Sequence, residues 1–201
     1  MELWNIEKEY LDAGLAYVCG VDEAGAGPLA GPVYAAAVIL PPYCEIEGLN
    51  DSKKLTEKKR EKLFDIIRDQ AVAYSIARVE AEEIDETDIL SARMKAMQLA
   101  IDALGVKADF ALIDGNRETD FGIPCQTVVK GDSRSANIAA ASVLAKVTRD
   151  IYMEDLAEKY PQYGFEIHKG YGTKAHYAAL TAHGMCDAHR RSFLRKFYGE
   201  R

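Results

Sequence analysis

Two apolar runs set the strongest constraint on this chain: residues 17–21 (YVCGV) and 32–40 (PVYAAAVIL), separated by DEAGAGPLAG. Runs this short, rich in Val and Ile and bounded by glycine and proline, read as buried strands rather than helices. The first ends in adjacent carboxylates, Asp22 and Glu23, followed by a glycine-rich turn from Gly25 through Ala26 and Gly27. A strand that opens into paired acids and then bare backbone suits the handling of a metal ion or a phosphate, so the rest of the chain reads as its support.

Taken in order, residues 5–15 place Ile6, Tyr10 and Leu11 at helical spacing,. After the second strand, Thr56 and Glu57 open a charged helix running to about Asp69, with Thr56 as its cap,. Residues 72–79 alternate as a strand, and 81–104 form one or two helices whose Met and Leu stripe is core packing,. DFALID, 109–114, is another apolar strand ending in a carboxylate, Asp114. A short strand over 122–129 leads to Asp132, at or just before a long alanine-rich helix from Ser133 to about 160, where it is either a functional acid or only an N-cap,. Pro161 stops that helix, a glycine-punctuated loop follows over 163–173, and 174–183 and 188–198 close the chain as helices,. This order predicts an α/β fold with a mixed sheet flanked by helices: one body over 1–160 and a small helical C-terminal extension over 161–201 packed on it,.

Composition narrows the function. The longest strongly apolar run, 34–40, is too short to span a bilayer, and MELWNIEKEY carries acids where a secretion signal carries bases,. The expected compartment is the cytoplasm. Cys19, Cys44, Cys125 and Cys186 show no C-x-x-C pairing and read as reduced thiols, mostly buried,. The net charge of -7 is unusual for a nucleic-acid binder, yet from His168 onward Lys169, Lys174, Arg190, Arg191, Arg195, Lys196 and Arg201 outnumber Asp187 and Glu200,. That tail is either a solvated helix face or a phosphate-contacting surface. His168, His176, His183 and His189 lack metal-ligand spacing and read as surface or capping groups.

Asp22, Glu23, Asp114 and Asp132 thus fall in equivalent places, at strand ends and a helix start. If those strands are neighbours, the acids converge; like charges that close repel unless a cation lies among them. All-oxygen ligation points to a hard divalent ion, Mg²⁺ or Mn²⁺, and two such ions support in-line displacement at phosphorus. Asn50 and Lys53 lie in a polar loop whose residues alone favour helix capping over a phosphate contact,. Tyr171, between two glycines, is poorly placed for a core and better placed for a ligand,.

The segments VDEAGAGPLAGPV, LNDSKKL, LIDG, VVKGDSRSANIAAASVLAKVTRD and HKGYGTKAH together resemble bacterial ribonuclease HII, the type 2 ribonuclease H, in order and across nearly the whole chain. The resemblance implies a ribonuclease H-like fold, a monomer, and Asp22, Glu23, Asp114 and Asp132 as metal-binding catalytic acids for two divalent ions. It implies cleavage of the RNA strand of RNA–DNA hybrids and of the 5′ side of single ribonucleotides in duplex DNA, leaving 3′-hydroxyl and 5′-phosphate. It implies that the glycine turn meets the 2′-hydroxyl through its backbone, that Tyr171 stacks near the sugar at the junction and that Lys53 meets phosphate; Arg190 and Arg191 would then grip the duplex beyond the cut. One departure stands out: the family turn is Gly-Arg-Gly, whereas this chain has Gly25-Ala26-Gly27 and so lacks a guanidinium,. Two rival readings remain, a nucleotide-phosphate cradle and an attenuated hybrid-binding protein. The first lacks any G-x-x-x-x-G-K-[ST], and Pro28 and Pro32 interrupt the helix it needs,.

Overall fold

The structure, a computed structural model, describes residues 2–199; Glu200 and Arg201 of the basic tail lie outside the described residues. Five strands form one mixed sheet: β1 (Val18–Ala24), β2 (Val33–Ile39), β3 (Ala73–Val79), β4 (Phe110–Asp114) and β5 (Cys125–Val128), in spatial order β3-β2-β1-β4-β5. β1 pairs antiparallel with β2, and β2 with β3, while β4 runs parallel to both β1 and β5. The helices are α1 (Asn5–Asp12), α2 (Glu57–Gln70), α3 (Ala81–Glu86), α4 (Ile89–Asp102), α5 (Ala136–Lys159), α6 (Phe165–His168), α7 (Lys174–His183) and α8 (Arg191–Tyr198).

Side chains alternate across the sheet, so each face has its own core. Cys19, Val21, Ala35 and Ile113 pack toward Ala96 and Met97 of α4 on one face. Ala36 and Val38 pack toward Ala140 and Leu144 of α5 on the other. α5 is buried all round from Ala136 to Ala145, which is why its sequence shows no polar stripe there and why alanine suits it,. Its first turn comes so close to β1 that a Cβ on Gly20 would overlap the backbone of Asn137 and Ile138. Asn137 joins helix to sheet, its Nδ2 donating to Val18 O at 3.2 Å and its Oδ1 accepting from Leu40 N at 2.8 Å.

Several boundaries differ from the sequence reading for reasons that lie outside the local sequence. β1 does not end at Asp22 but carries both acids within it, because its antiparallel ladder with β2 continues to Ala24↔Tyr34 after the parallel ladder with β4 stops at Val21↔Ile113. Thr56 makes no side-chain cap, while residues 81–104 divide at Asp88, whose carboxylate accepts from Leu90 N and Ser91 N to start α4. α5 begins at Ala136, capped by Ser135, and Gly131–Ser133 is a separate 3₁₀ turn, so Asp132 is not the N-cap. α8 begins three residues later than expected: Ala188 O accepts from Gly31 N, and His189 bridges Ala30. Of the four free thiols only Cys19 is buried; the others are half-exposed, against the expectation of mostly buried thiols. No helix among the described residues is long and apolar enough to cross a membrane.

Candidate active site

Because β1 and β4 are parallel and in register through Val21↔Ile113, the next residue on each, Asp22 and Asp114, stand side by side at the strand ends,. Asp114 Oδ1 accepts from Gly131 N at 2.7 Å, which ties the 3₁₀ turn to β4 and brings Asp132 to the same place. Glu23 leaves β1 on the α4 side and pairs with Arg93 Nη2 at 2.6 Å. Lys53 Nζ lies 3.7 Å from Asp132 Oδ2 while remaining largely exposed. The structure therefore brings the four carboxylates and Lys53 together, from β1, β4, the 3₁₀ turn and the loop before α2.

Their electrostatics follow from that crowding. Burial holds the Asp22 carboxyl well above the usual range, and the charges of Glu23 and Asp114 add to it. Burial also raises Glu23, with Arg93 opposing, and raises Asp132, with Asp114 and Asp51 adding. On Lys53, burial acts against the charge but is outweighed by Asp22, Asp132, Asp51 and Asp114, so its amine is held protonated,. Glu23 Oε2 is buried without any hydrogen-bond partner. An orphan carboxylate oxygen among acids that burial has made reluctant to ionise fits a hard divalent cation, which would satisfy the oxygen and offset the repulsion. As they stand, no three His, Cys, Asp or Glu among the described residues enclose a common ion position; each acid is engaged instead by Arg93, Lys53 or a backbone N–H.

The glycine turn lies beside this cluster. Tyr171 is exposed, and its ring lies 3.8 Å from where a Cβ on Gly27 would stand, so ring and turn form one surface. Gly25 has φ +96°, and a side chain there would overlap the Arg149 guanidinium, which leaves glycine as the residue that fits,. Ala26 is half-buried and Gly27 exposed. Asn50 is exposed, with its Oδ1 accepting from Asp51 N at 2.8 Å, next to the loop that carries Lys53.

Arg190 corrects the sequence reading. Expected to grip a duplex, it is completely buried and donates to the carbonyls of Gly25, Ala26 and Gly31 from beneath the turn. Arg191 is exposed at the start of α8, its backbone N–H held by Asp85. Asp85 also accepts from Ser192 N and Oγ, so part of the acidic stretch serves to cap α8,.

The histidines are a second correction. His168, His176 and His189 are buried, and only His183 is exposed. Their neighbours define the proton on each ring. His176 Nδ1 donates to Tyr171 O at 3.0 Å, so its Nε2 accepts from His189 Nε2 at 3.0 Å, and His189 Nδ1 accepts from Cys186 N at 3.0 Å. His168 donates from Nε2 to Tyr163 O at 2.8 Å and accepts at Nδ1 from Gly170 N at 3.2 Å. This all-neutral network braces the backbone on both sides of Tyr171. Nothing in the spacing of these residues along the chain signals it.

Burial, with His176 adding, pushes His189 down to about 4. Between about 4 and the ordinary 6.5 the unfolded chain binds the proton and the folded chain does not,. The stability this ring contributes is therefore complete above 6.5 and lost as pH falls toward 4,. In an NMR titration the His189 ring should remain neutral at pH 5,. A His189 midpoint above 6 would contradict the network.

The family model described as Ribonuclease HII matches residues 19–196. The chain is 61% identical to the ribonuclease HII of Dechloromonas aromatica (strain RCB), over 88% of this chain and 90% of that protein. It is 51% identical to that of Acetivibrio thermocellus, over 98% of this chain and 77% of that protein. Among solved structures, ribonuclease H2 from Pyrococcus horikoshii OT3 superposes with a TM-score of 0.72 at 29% identity, covering 87% of this chain and 92% of that one. RNase HII of Archaeoglobus fulgidus, solved with PCNA, gives 0.72 at 27% identity, covering 87% and 93%.

Proposed function

The chain belongs to the ribonuclease HII family, a metal-dependent ribonuclease H acting as an endonuclease on RNA–DNA hybrids, and we propose how its own residues carry out that activity. Asp22, Glu23, Asp114 and Asp132 would hold two divalent ions, Mg²⁺ or Mn²⁺. When bound, the ions supply an activated water and charge compensation at the leaving oxygen of an in-line phosphodiester hydrolysis. The single observation that carries this reading is the gathering of the four acids at the ends of β1 and β4 and the adjoining turn, with Glu23 Oε2 buried and unpartnered.

The chain's other residues have distinct tasks in this reading. Arg93 and Lys53 keep Glu23 and Asp132 in place by opposing their charge, and Lys53, exposed, also meets a substrate phosphate,. Gly25, Ala26 and Gly27 present backbone to the 2′-hydroxyl, the group that distinguishes RNA from DNA, while Tyr171 packs against the sugar at the RNA-to-DNA junction. Asn50 and Arg191 lie exposed as further substrate contacts. The cut falls on the 5′ side of a ribonucleotide, including a single one embedded in duplex DNA, and leaves 3′-hydroxyl and 5′-phosphate. Such chemistry serves removal of ribonucleotides and RNA primers from DNA.

Mapping the products of a duplex bearing one ribonucleotide, with Mg²⁺ and with Mn²⁺, tests this: one cut, 5′ to the ribonucleotide, is expected. A duplex left whole under both ions, or cut 3′ to the ribonucleotide, refutes it. Ala26→Arg restores the guanidinium that the family turn carries and should lower KM on that duplex roughly tenfold, about what one charge-assisted hydrogen bond of ~1.5 kcal/mol contributes. An unchanged KM would mean that the turn works in this chain through its backbone alone.

A further inference from the structure

Arg149 and Arg190 lie wholly inside the protein beneath the glycine turn, and neither forms an ion pair among the described residues. Burying guanidinium without a carboxylate is expensive, so the carbonyls that replace one must be held firmly. The two arginines take different carbonyls. Arg149 donates to Ala30 O and Pro32 O, at the far end of the turn, and to Lys169 O, just before Tyr171. Arg190 donates to Gly31 O at 2.9 and 2.8 Å, to Ala26 O at 3.0 Å and to Gly25 O at 2.6 Å. Burial, with Arg149 adding, pushes Arg190 down to about 9, so it stays charged at neutral pH.

A trans peptide fixes the consequence. Its C=O and the following N–H point in opposite directions, and the chain has no cis bonds,. With the Gly25 and Ala26 carbonyls turned inward onto Arg190, the N–H groups of Ala26 and Gly27 turn outward. Neither N–H makes a hydrogen bond within the described residues. They are adjacent donors, beside the Tyr171 ring and only a few residues beyond Asp22 and Glu23. Two convergent backbone donors over a buried cation form a concavity for an oxygen that accepts.

We propose that Arg190 is a positioning residue that sets sugar selectivity: by holding the Gly25 and Ala26 carbonyls, it aims the Ala26 and Gly27 N–H groups at the ribose 2′-oxygen. This rests on the reading of the chain as a ribonucleotide-directed nuclease. It also accounts for a basic residue of the C-terminal segment that touches no solvent. Arg149, which packs under Gly25 without bonding its carbonyl, supports the loop but does not aim those two peptides.

The test compares affinity in EDTA for a duplex with one ribonucleotide and for the same duplex in all-DNA form. Wild type should prefer the ribonucleotide duplex. Arg190→Lys cannot reach three carbonyls in fork geometry and should lose about tenfold of that preference, whereas Arg149→Lys should keep it within about twofold even if its melting temperature falls as far. Equal loss in both variants, or a folded Arg190→Lys with wild-type preference, overturns the proposal. A wild-type measurement needs no variant to fold: the Ala26 and Gly27 amide resonances should shift with the ribonucleotide duplex and not with the all-DNA one, and amides that respond equally to both overturn it. Wild type indifferent to the sugar would overturn the ribonucleotide reading itself, and this inference with it.

Discussion

Asp22→Asn should lower cleavage of a ribonucleotide-bearing duplex by at least about a hundredfold while raising the melting temperature of the metal-free protein. Both halves come from one geometry. Asp22 is buried beside Asp114 and next to Glu23, so its carboxylate is the most crowded charge in the site. Its pKa is raised in the folded state, so from 3.8 upward the folded chain keeps a proton that the unfolded chain has released. Ionising Asp22 at neutral pH therefore opposes folding, and stability falls as pH rises through that window. Asparagine carries no charge and keeps an oxygen to accept from Glu23 N, the 2.7 Å bond that Asp22 Oδ1 now makes. The same change removes a ligand that a divalent ion needs in ionised form.

Thermal unfolding in EDTA and in millimolar Mg²⁺, beside steady-state cleavage, checks both halves. The variant should melt higher than wild type in EDTA and gain less from Mg²⁺, since binding to the folded state alone is what stabilises. Cleavage within tenfold of wild type, or a lower melting temperature in EDTA, would remove Asp22 from the proposed role.

Gly20→Ala should destabilise the protein by about 3 kcal/mol, the upper part of the usual overpacking cost, because the added methyl meets backbone rather than a side chain that can swing aside. For a chain of this size that corresponds to a fall of roughly 6–12 °C in melting temperature. The obstructing atoms belong to Asn137 and Ile138, and Asn137 is bonded to both β1 and the end of β2. Pushing α5 outward strains these bonds together and shifts the turn that carries Asp132, so activity should decline at temperatures where the variant is still folded. A urea midpoint within 0.5 kcal/mol equivalents of wild type would show that α5 yields without cost, roughly the spread of an unremarkable surface change.

The aspartate and the glycine differ in how far the sequence revealed them. Asp22 stands out because it and Glu23 form an adjacent pair of carboxylates between an apolar strand and a glycine-rich turn. Gly20, inside the same strand, carries no local sign that a helix more than a hundred residues later will rest on it. Arg93 is similar: one of three charged residues on α4, it becomes part of the site only because α4 crosses the sheet beside Glu23.

Strand and helix periods, the glycine turn, the two prolines that bound it and the sequence of elements are local properties, and from the sequence alone they determined the α/β order and marked the four acids as candidates. Where each strand stops, which basic residue is buried and which imidazole carries which proton were decided only in three dimensions. The reason is that a charge or a ring takes its state from its neighbours, and those of Arg190 and His189 come from the glycine turn, from α5 and α7, and from the loop that carries Tyr171. Of the basic tail, tertiary packing thus turned one arginine inward as the support of the turn, where the carbonyls of Gly25, Ala26 and Gly31 satisfy it,.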